Sequence, residues 1–124
     1  MTEVEIHRFV VLGIVAAAVP TLGYLLWSSA PYGRHARGGW GPGVPPRWGW
    51  IVMESPAVLV FAGVFAAGRH ATEVVPLLMF ATWQLHYFYR TFVFPFRIRS
   101  ARPMPLLVAL SGLGFNVANA YVNA

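Results

Sequence analysis

The 124-residue sequence contains no cysteine, no lysine and no aspartate, and only 10% of it is charged. Without cysteine there is neither a disulfide framework nor a thiolate metal site. The four histidines, His7, His35, His70 and His86, are scattered, so no metal site is expected. Membrane di-iron hydroxylases and desaturases, which need repeated histidine boxes, are disfavoured for the same reason. All nine basic residues are arginine and all four acids are glutamate, giving a net charge of +5. That excess is small and dispersed, so no nucleic-acid partner is expected. No glycine-rich phosphate fingerprint follows a strand, because "GGWGPG" lies between apolar runs, and no internal repeat is visible.

What is abundant is apolar surface. The chain is 57% hydrophobic with mean hydropathy +0.58, which is too apolar for a soluble domain of this length. Four stretches are long enough for a hydrocarbon core of about 30 Å, which needs about 20 apolar residues: 9–27, 48–67, 74–96 and 104–122. They are continuous rather than alternating, so helices are expected and barrel strands are not. The predicted fold class is therefore an all-α polytopic transmembrane bundle, a single membrane domain over 1–124 with four spans. The start "MTEVEIHR" carries two Glu against one Arg and precedes a long apolar run, unlike a cleaved signal. Connections 28–47 and 97–103 hold Arg34, Arg37, Arg47, Arg97, Arg99 and Arg102, whereas the N-terminus and 68–73 hold Arg8 and Arg69. The positive-inside rule then places 28–47 and 97–103 in the cytoplasm and the N-terminus outside.

Ionisable groups inside these spans stand out, because each costs about 2.5 to 3.5 kcal/mol at the centre of a span. At about 1.5 Å per residue, Glu54 lies roughly 9 Å below Trp48, Arg90 roughly 9 Å below Phe96, and Tyr87 roughly 13 Å below Phe96. Two helices thus present a carboxyl, a guanidinium and a phenol to one layer. His86 and Tyr87 share a side of the third span with Arg90, at i, i+4 and i, i+3. Pro56 is expected to loosen the turn around Glu54. Bland readings stand beside this one: Glu54 and Arg90 as a structural ion pair, Tyr87 as one more amphipathic aromatic, His86 as a packed histidine, and the loop arginines as topology signals. In a dry pocket, a protonated carboxyl and a phenol can both donate to a carbonyl oxygen and stabilise charge that develops there.

The segments "APYGRHARGGWGPGVPPRWGWIVMESP" (30–56), "AGRHA" (67–71), "HYFYRTFVFPFRIRSARPMP" (86–105) and "FNVANAYVNA" (115–124) resemble the N-terminal half of steroid 5α-reductases, with "MESP" closer to the plant and bacterial branch. The resemblance implies a seven-helix membrane enzyme that uses NADPH to reduce the Δ4 double bond of a 3-oxosteroid, with hydride going to C5 and a proton to C4. It further implies that Glu54 and Tyr87 are catalytic, polarising the C3 carbonyl. Met53, His86 and Arg90 would lie on the substrate side, and Arg102 and Asn119 on the cofactor side. Met53 stands where animal enzymes have Gln, and Ala120 and Asn123 stand where Gly and Gln are usual. Family chains run to about twice this length, and most residues that clasp NADPH lie in the second half. The 124-residue chain alone is therefore expected to be inactive. Two alternatives stay open: an enoyl or polyprenol reductase of the same superfamily, and a non-catalytic four-helix membrane protein.

Overall fold

The computed structural model describes residues 1–99 and 102–124; Ser100 and Ala101, within the third connection, lie outside the described residues. Among these, helices α1 (Glu3–Trp27), α2 (Pro46–Ala67), α3 (Val74–Phe88), α4 (Phe94–Arg97) and α5 (Leu106–Asn123) account for nearly all regular structure. A five-residue π-helical segment, Tyr89–Val93, joins α3 to α4 without a break. Three helices, α1, α2 and α5, are long and apolar enough to cross a membrane. The third apolar stretch of the sequence reaches that length only as the composite α3, π segment and α4.

α1 begins with a capping box: the Thr2 hydroxyl accepts from the Glu5 amide, and the Glu5 carboxylate accepts from the Thr2 amide at 2.7 Å. None of its residues is buried, and it packs chiefly along α5. The core is the α2–α5 pair. On α2 the buried positions Gly49, Trp50, Met53, Glu54, Ala57 and Phe61 recur every three to four residues, which makes one inward stripe. On α5 the facing row is small or slim: Ala109, Gly112, Asn116 and Ala120. Small residues at this spacing let two helix backbones approach closely, which is how helices associate where lipid removes the hydrophobic drive. Gly112 is the tightest point, since a Cβ there would land on the Met53 side chain.

The Arg-rich end is tied together by a minimal antiparallel pair, β1 (Gly43–Val44) with β2 (Met104–Pro105), in the register Gly43↔Pro105 and Val44↔Met104. Met104 is thus extended and buried rather than helical, and α5 begins at Leu106. Trp50, Met53, Met104 and Ala109 form a cluster beneath this clip. The Arg37 guanidinium donates to Tyr24 and Ser28 at the end of α1, so the first long connection folds back on the bundle.

Prolines act differently at two places. α2 runs unbroken through Pro56, and the Ser55 hydroxyl donates to the Val52 carbonyl, four residues before the proline, at 3.1 Å. The loosened turn expected around Glu54 is therefore absent: the acceptor that Pro56 leaves without an amide is satisfied locally. Pro95, fully buried, sits instead just beyond the π segment, where the helix register shifts.

The close approach at Gly112 generates a stability prediction. Gly112→Ala forces Met53 aside and should lower the melting temperature in detergent, at a cost of about 1 to 3 kcal/mol. Gly63→Ala, in the same core helix pair but with open space around it, should instead be neutral or stabilising by up to about 1 kcal/mol. Equal effects would show that α2 and α5 are not in this contact.

Candidate active site

The polar layer forms where α2, the π segment and α5 meet. Glu54, 3% exposed, projects from the buried stripe of α2, and its Oε1 accepts from Arg90 Nε at 2.9 Å. The Arg90 side chain is 42% exposed, so the pair has one dry and one open member. Tyr87 lies one helical turn before Arg90 and interacts electrostatically with Glu54, Arg90 and the Asn119 side chain. His86 stands edge-on to Tyr87, with ring centroids 5.0 Å apart.

This layer is held by side-chain donors aimed at the main chain of α2. Asn116 Nδ2 donates to the Met53 carbonyl at 2.8 Å, Thr91 Oγ1 to the Glu54 carbonyl at 3.4 Å, Trp83 Nε1 to the Ala57 carbonyl at 2.8 Å, and Gln84 Nε2 to the Val58 carbonyl at 3.0 Å. Carbonyls on either side of the catalytic-candidate carboxyl are thus gripped from α5 and from α3. In an apolar medium such contacts are the polar glue between helices. An aromatic column continues the α2–α3 seam away from the layer: Phe61 stacks on Trp83 at 4.5 Å, Phe65 on Phe80 at 4.5 Å, and Trp83 meets Tyr87 at 4.6 Å.

Two apolar grooves flank the layer. One of about 590 Å³ between α2 and α3 is lined by Phe61, Leu78, Trp83, His86 and Tyr87, with Asn123 at its edge. The other, about 990 Å³, lies between α1, α2 and α5 and is lined by Gly13, Ala17, Tyr32, Met53, Gly112 and Phe115. Met53 therefore faces a different groove from His86 and Tyr87, although it precedes Glu54 directly. Arg102 lines a third groove of about 410 Å³ with Arg37, Trp40 and the glycines Gly39 and Gly41, both in the left-handed region (φ 88° and 79°) that suits glycine. Asn119, thirteen residues into α5, lies ~20 Å along the helix axis from its start, so it groups with Tyr87 and not with Arg102. Among the described residues, no group of three or more His, Cys, Asp or Glu could hold a metal ion.

Sequence reasoning missed Trp50, Thr91, Asn116 and Pro95. Three of these carried a signal: Thr91 and Asn116 are polar groups within apolar stretches, and Pro95 interrupts the third. Trp50 carried none, because an indole at the end of a span is ordinary.

No protein-family model matches the chain. It is 40% identical over 123 residues to the Steroid 5-alpha-reductase DET2 of Arabidopsis thaliana, across 94% of this chain and 47% of that protein. To the Steroid 5-alpha-reductase DET2 of Gossypium hirsutum it is 34% identical, across 99% of this chain and 49% of the relative. To the 3-oxo-5-alpha-steroid 4-dehydrogenase 1 of Bos taurus it is 35% identical, across 77% of this chain and 38% of the relative. The chain spans about half the length of the plant relatives it matches.

The grip of α5 on α2 gives the prediction of this section. Asn116→Ala should destabilise the chain by about 1 kcal/mol, because the donor to a buried carbonyl is lost between two helices. Asn123→Ala, whose exposed amide bonds among the described residues to Asn119 on its own helix, should leave the melting temperature unchanged.

Proposed function

Since this chain belongs to the steroid 5α-reductase family and fits its plant-like branch, we propose that it supplies the carbonyl-polarising part of a membrane enzyme that reduces the Δ4 double bond of a 3-oxosteroid with NADPH. The observation that carries this reading is the buried Glu54–Arg90 contact with Tyr87 beside it, in a layer bordered by apolar grooves. The substrate carbonyl enters the layer, where the Tyr87 hydroxyl donates to its oxygen. Glu54, whose Oε1 accepts from Arg90, contributes the second donor to the same oxygen when its carboxyl carries a proton. Both donors stabilise the negative charge that grows on this oxygen as the β-carbon of the enone is reduced. The α-carbon then takes a proton, so one enone, one NADPH and one proton become one saturated ketone and one NADP⁺.

The apolar rings lie in the groove that His86 and Tyr87 line, because their carbonyl must reach the Tyr87 hydroxyl; Phe61, Leu78 and Trp83 supply its apolar walls. Bound NADPH supplies the hydride. Arg102 and Arg37, with the glycine-rich backbone between Gly38 and Gly43, suit its phosphates by charge and by close main-chain approach. The chain spans about half the length of its plant relatives, and positioning the nicotinamide falls in this reading to a further segment, such as the other half of the family's length. The reading places the N-terminus outside and 28–47 and 97–103 in the cytoplasm, on the arginine bias.

Three outcomes are expected. With the remaining half of a curated relative co-expressed, Tyr87→Phe should keep its melting temperature while kcat falls by about 10² to 10³, the usual cost of one oxyanion donor. Glu54→Gln should retain more activity than Glu54→Ala, and a well-folded Tyr87→Phe chain that turns over at the parent rate sinks the assignment. The 124-residue chain by itself should not reduce 3-oxo-Δ4-steroids in single-turnover assays with NADPH, and robust reduction would show that it is sufficient. In intact membranes, Ser29→Cys should react with an impermeant maleimide from the face opposite to Thr2→Cys and Thr72→Cys; Ser29 and Thr72 labelling from one face overturns the topology.

A further inference from the structure

Arg90 is a long side chain, nearly half exposed, yet it meets Glu54 through one defined atom. Something must hold it, and the π segment shows what. In the register of Tyr89–Val93, the Phe94 amide donates to the Tyr89 carbonyl, five residues back. The next bond in that series would run from residue 95 to the Arg90 carbonyl, but residue 95 is proline and has no amide hydrogen. A carbonyl left without a donor in an apolar bundle is costly. Here the donor comes from another helix: Trp50 Nε1 bonds to the Arg90 carbonyl at 3.1 Å.

The same indole also confines the Arg90 side chain. The guanidinium carbon lies 5.0 Å above the Trp50 ring, a cation–π contact, and Nε continues to Glu54. Trp50 and Glu54 are i, i+4 on α2, so one face of that helix holds Arg90 by its main chain at one turn and by its side chain at the next. Trp50 is itself 8% exposed and fixed by Phe94, with ring centroids 5.2 Å apart, and by Tyr32 at 6.3 Å.

We propose that Trp50 is a positioning residue: its indole N–H takes the carbonyl that Pro95 leaves open, holds Arg90 in place and, through Arg90, orients the Glu54 carboxyl. This rests on the catalytic reading of Glu54 given above. Trp50 does not act on substrate in this scheme; it acts through the guanidinium.

The test combines turnover with a readout that is independent of it. Trp50→Phe keeps an aromatic ring but removes the N–H donor together with one ring of the indole. In the chain co-expressed with the remaining half of a relative, kcat should fall by about tenfold with KM within about twofold. In a Glu54→Gln background, Trp50→Phe should cost nothing further, since both changes act on the same carboxyl. A parent-like kcat, a change in KM alone, or an additive loss overturns the proposal. Hydrogen exchange in the 124-residue parent chain supplies the second readout: the Trp50 indole N–H and the Arg90 Nε–H should both be protected, and Arg90 should exchange at least about tenfold faster in Trp50→Phe. A freely exchanging indole in the parent overturns the proposal even if the variant does not fold. If Glu54→Gln turns over like the parent, the catalytic reading of Glu54 falls, and the exchange data alone decide whether Trp50 holds Arg90.

Discussion

A carboxyl buried within an apolar helix stays there only if something answers its polarity, and in this protein that something is Arg90. The contact constrains more than the two residues that make it. Arg90 must come from a neighbouring helix at the same depth, so α2 and the α3–α4 composite have to pack in one register. The π segment and the indole of Trp50 then set where the guanidinium points. Because the partner sits on the open side of the layer, the pair is dry at the carboxyl and accessible at the cation, an asymmetry that a purely structural ion pair does not need.

The rest of the bundle serves this register with contacts suited to lipid. Apolar side chains gain little by leaving a hydrocarbon for another apolar surface, so specificity falls to close packing and hydrogen bonds. α5 contributes a small-residue face and one amide, Asn116, to the Met53 carbonyl; α3 contributes Trp83 and Gln84 to the next two carbonyls after Pro56. These bonds fix α2 from two sides on either flank of Glu54. α1 takes no part in them, is nowhere buried, and serves instead as an outer wall of the larger groove. The helix that walls this groove is thus the one least anchored to the core.

The two prolines show how similar sequence signals part company in the fold. Pro56 and Pro95 each deny one carbonyl its helical donor. Next to Pro56 stands Ser55, whose hydroxyl reaches the Val52 carbonyl, and α2 continues unchanged. Next to Pro95 there is no hydroxyl neighbour; the helix widens into a π turn, and the donor arrives from Trp50, 40 positions away in sequence. Periodicity cannot register such a difference, because it depends on which side chain of another helix lies opposite the open acceptor.

The sequence by itself determined the medium, the helical class and the depth of the polar layer. Continuous apolar runs admit no other regular structure in a bilayer, and the helical rise converts residue counts into depth. Glu54, Tyr87 and Arg90 were therefore legible as one layer before any coordinates, and the quoted motifs pointed to the family. Only the tertiary structure decided that Asn119 joins Tyr87 rather than Arg102, that Met53 and Tyr87 face different grooves, and that Met104 is a strand residue clipped to Val44. Depth along a helix is a one-dimensional quantity that residue counting supplies. The face a residue presents, and the partner it meets there, depend on how α2, α3 and α5 rotate and pack about their axes, and in an apolar medium that rotation is chosen by a few small residues and cross-helix hydrogen bonds rather than by any pattern along one chain segment.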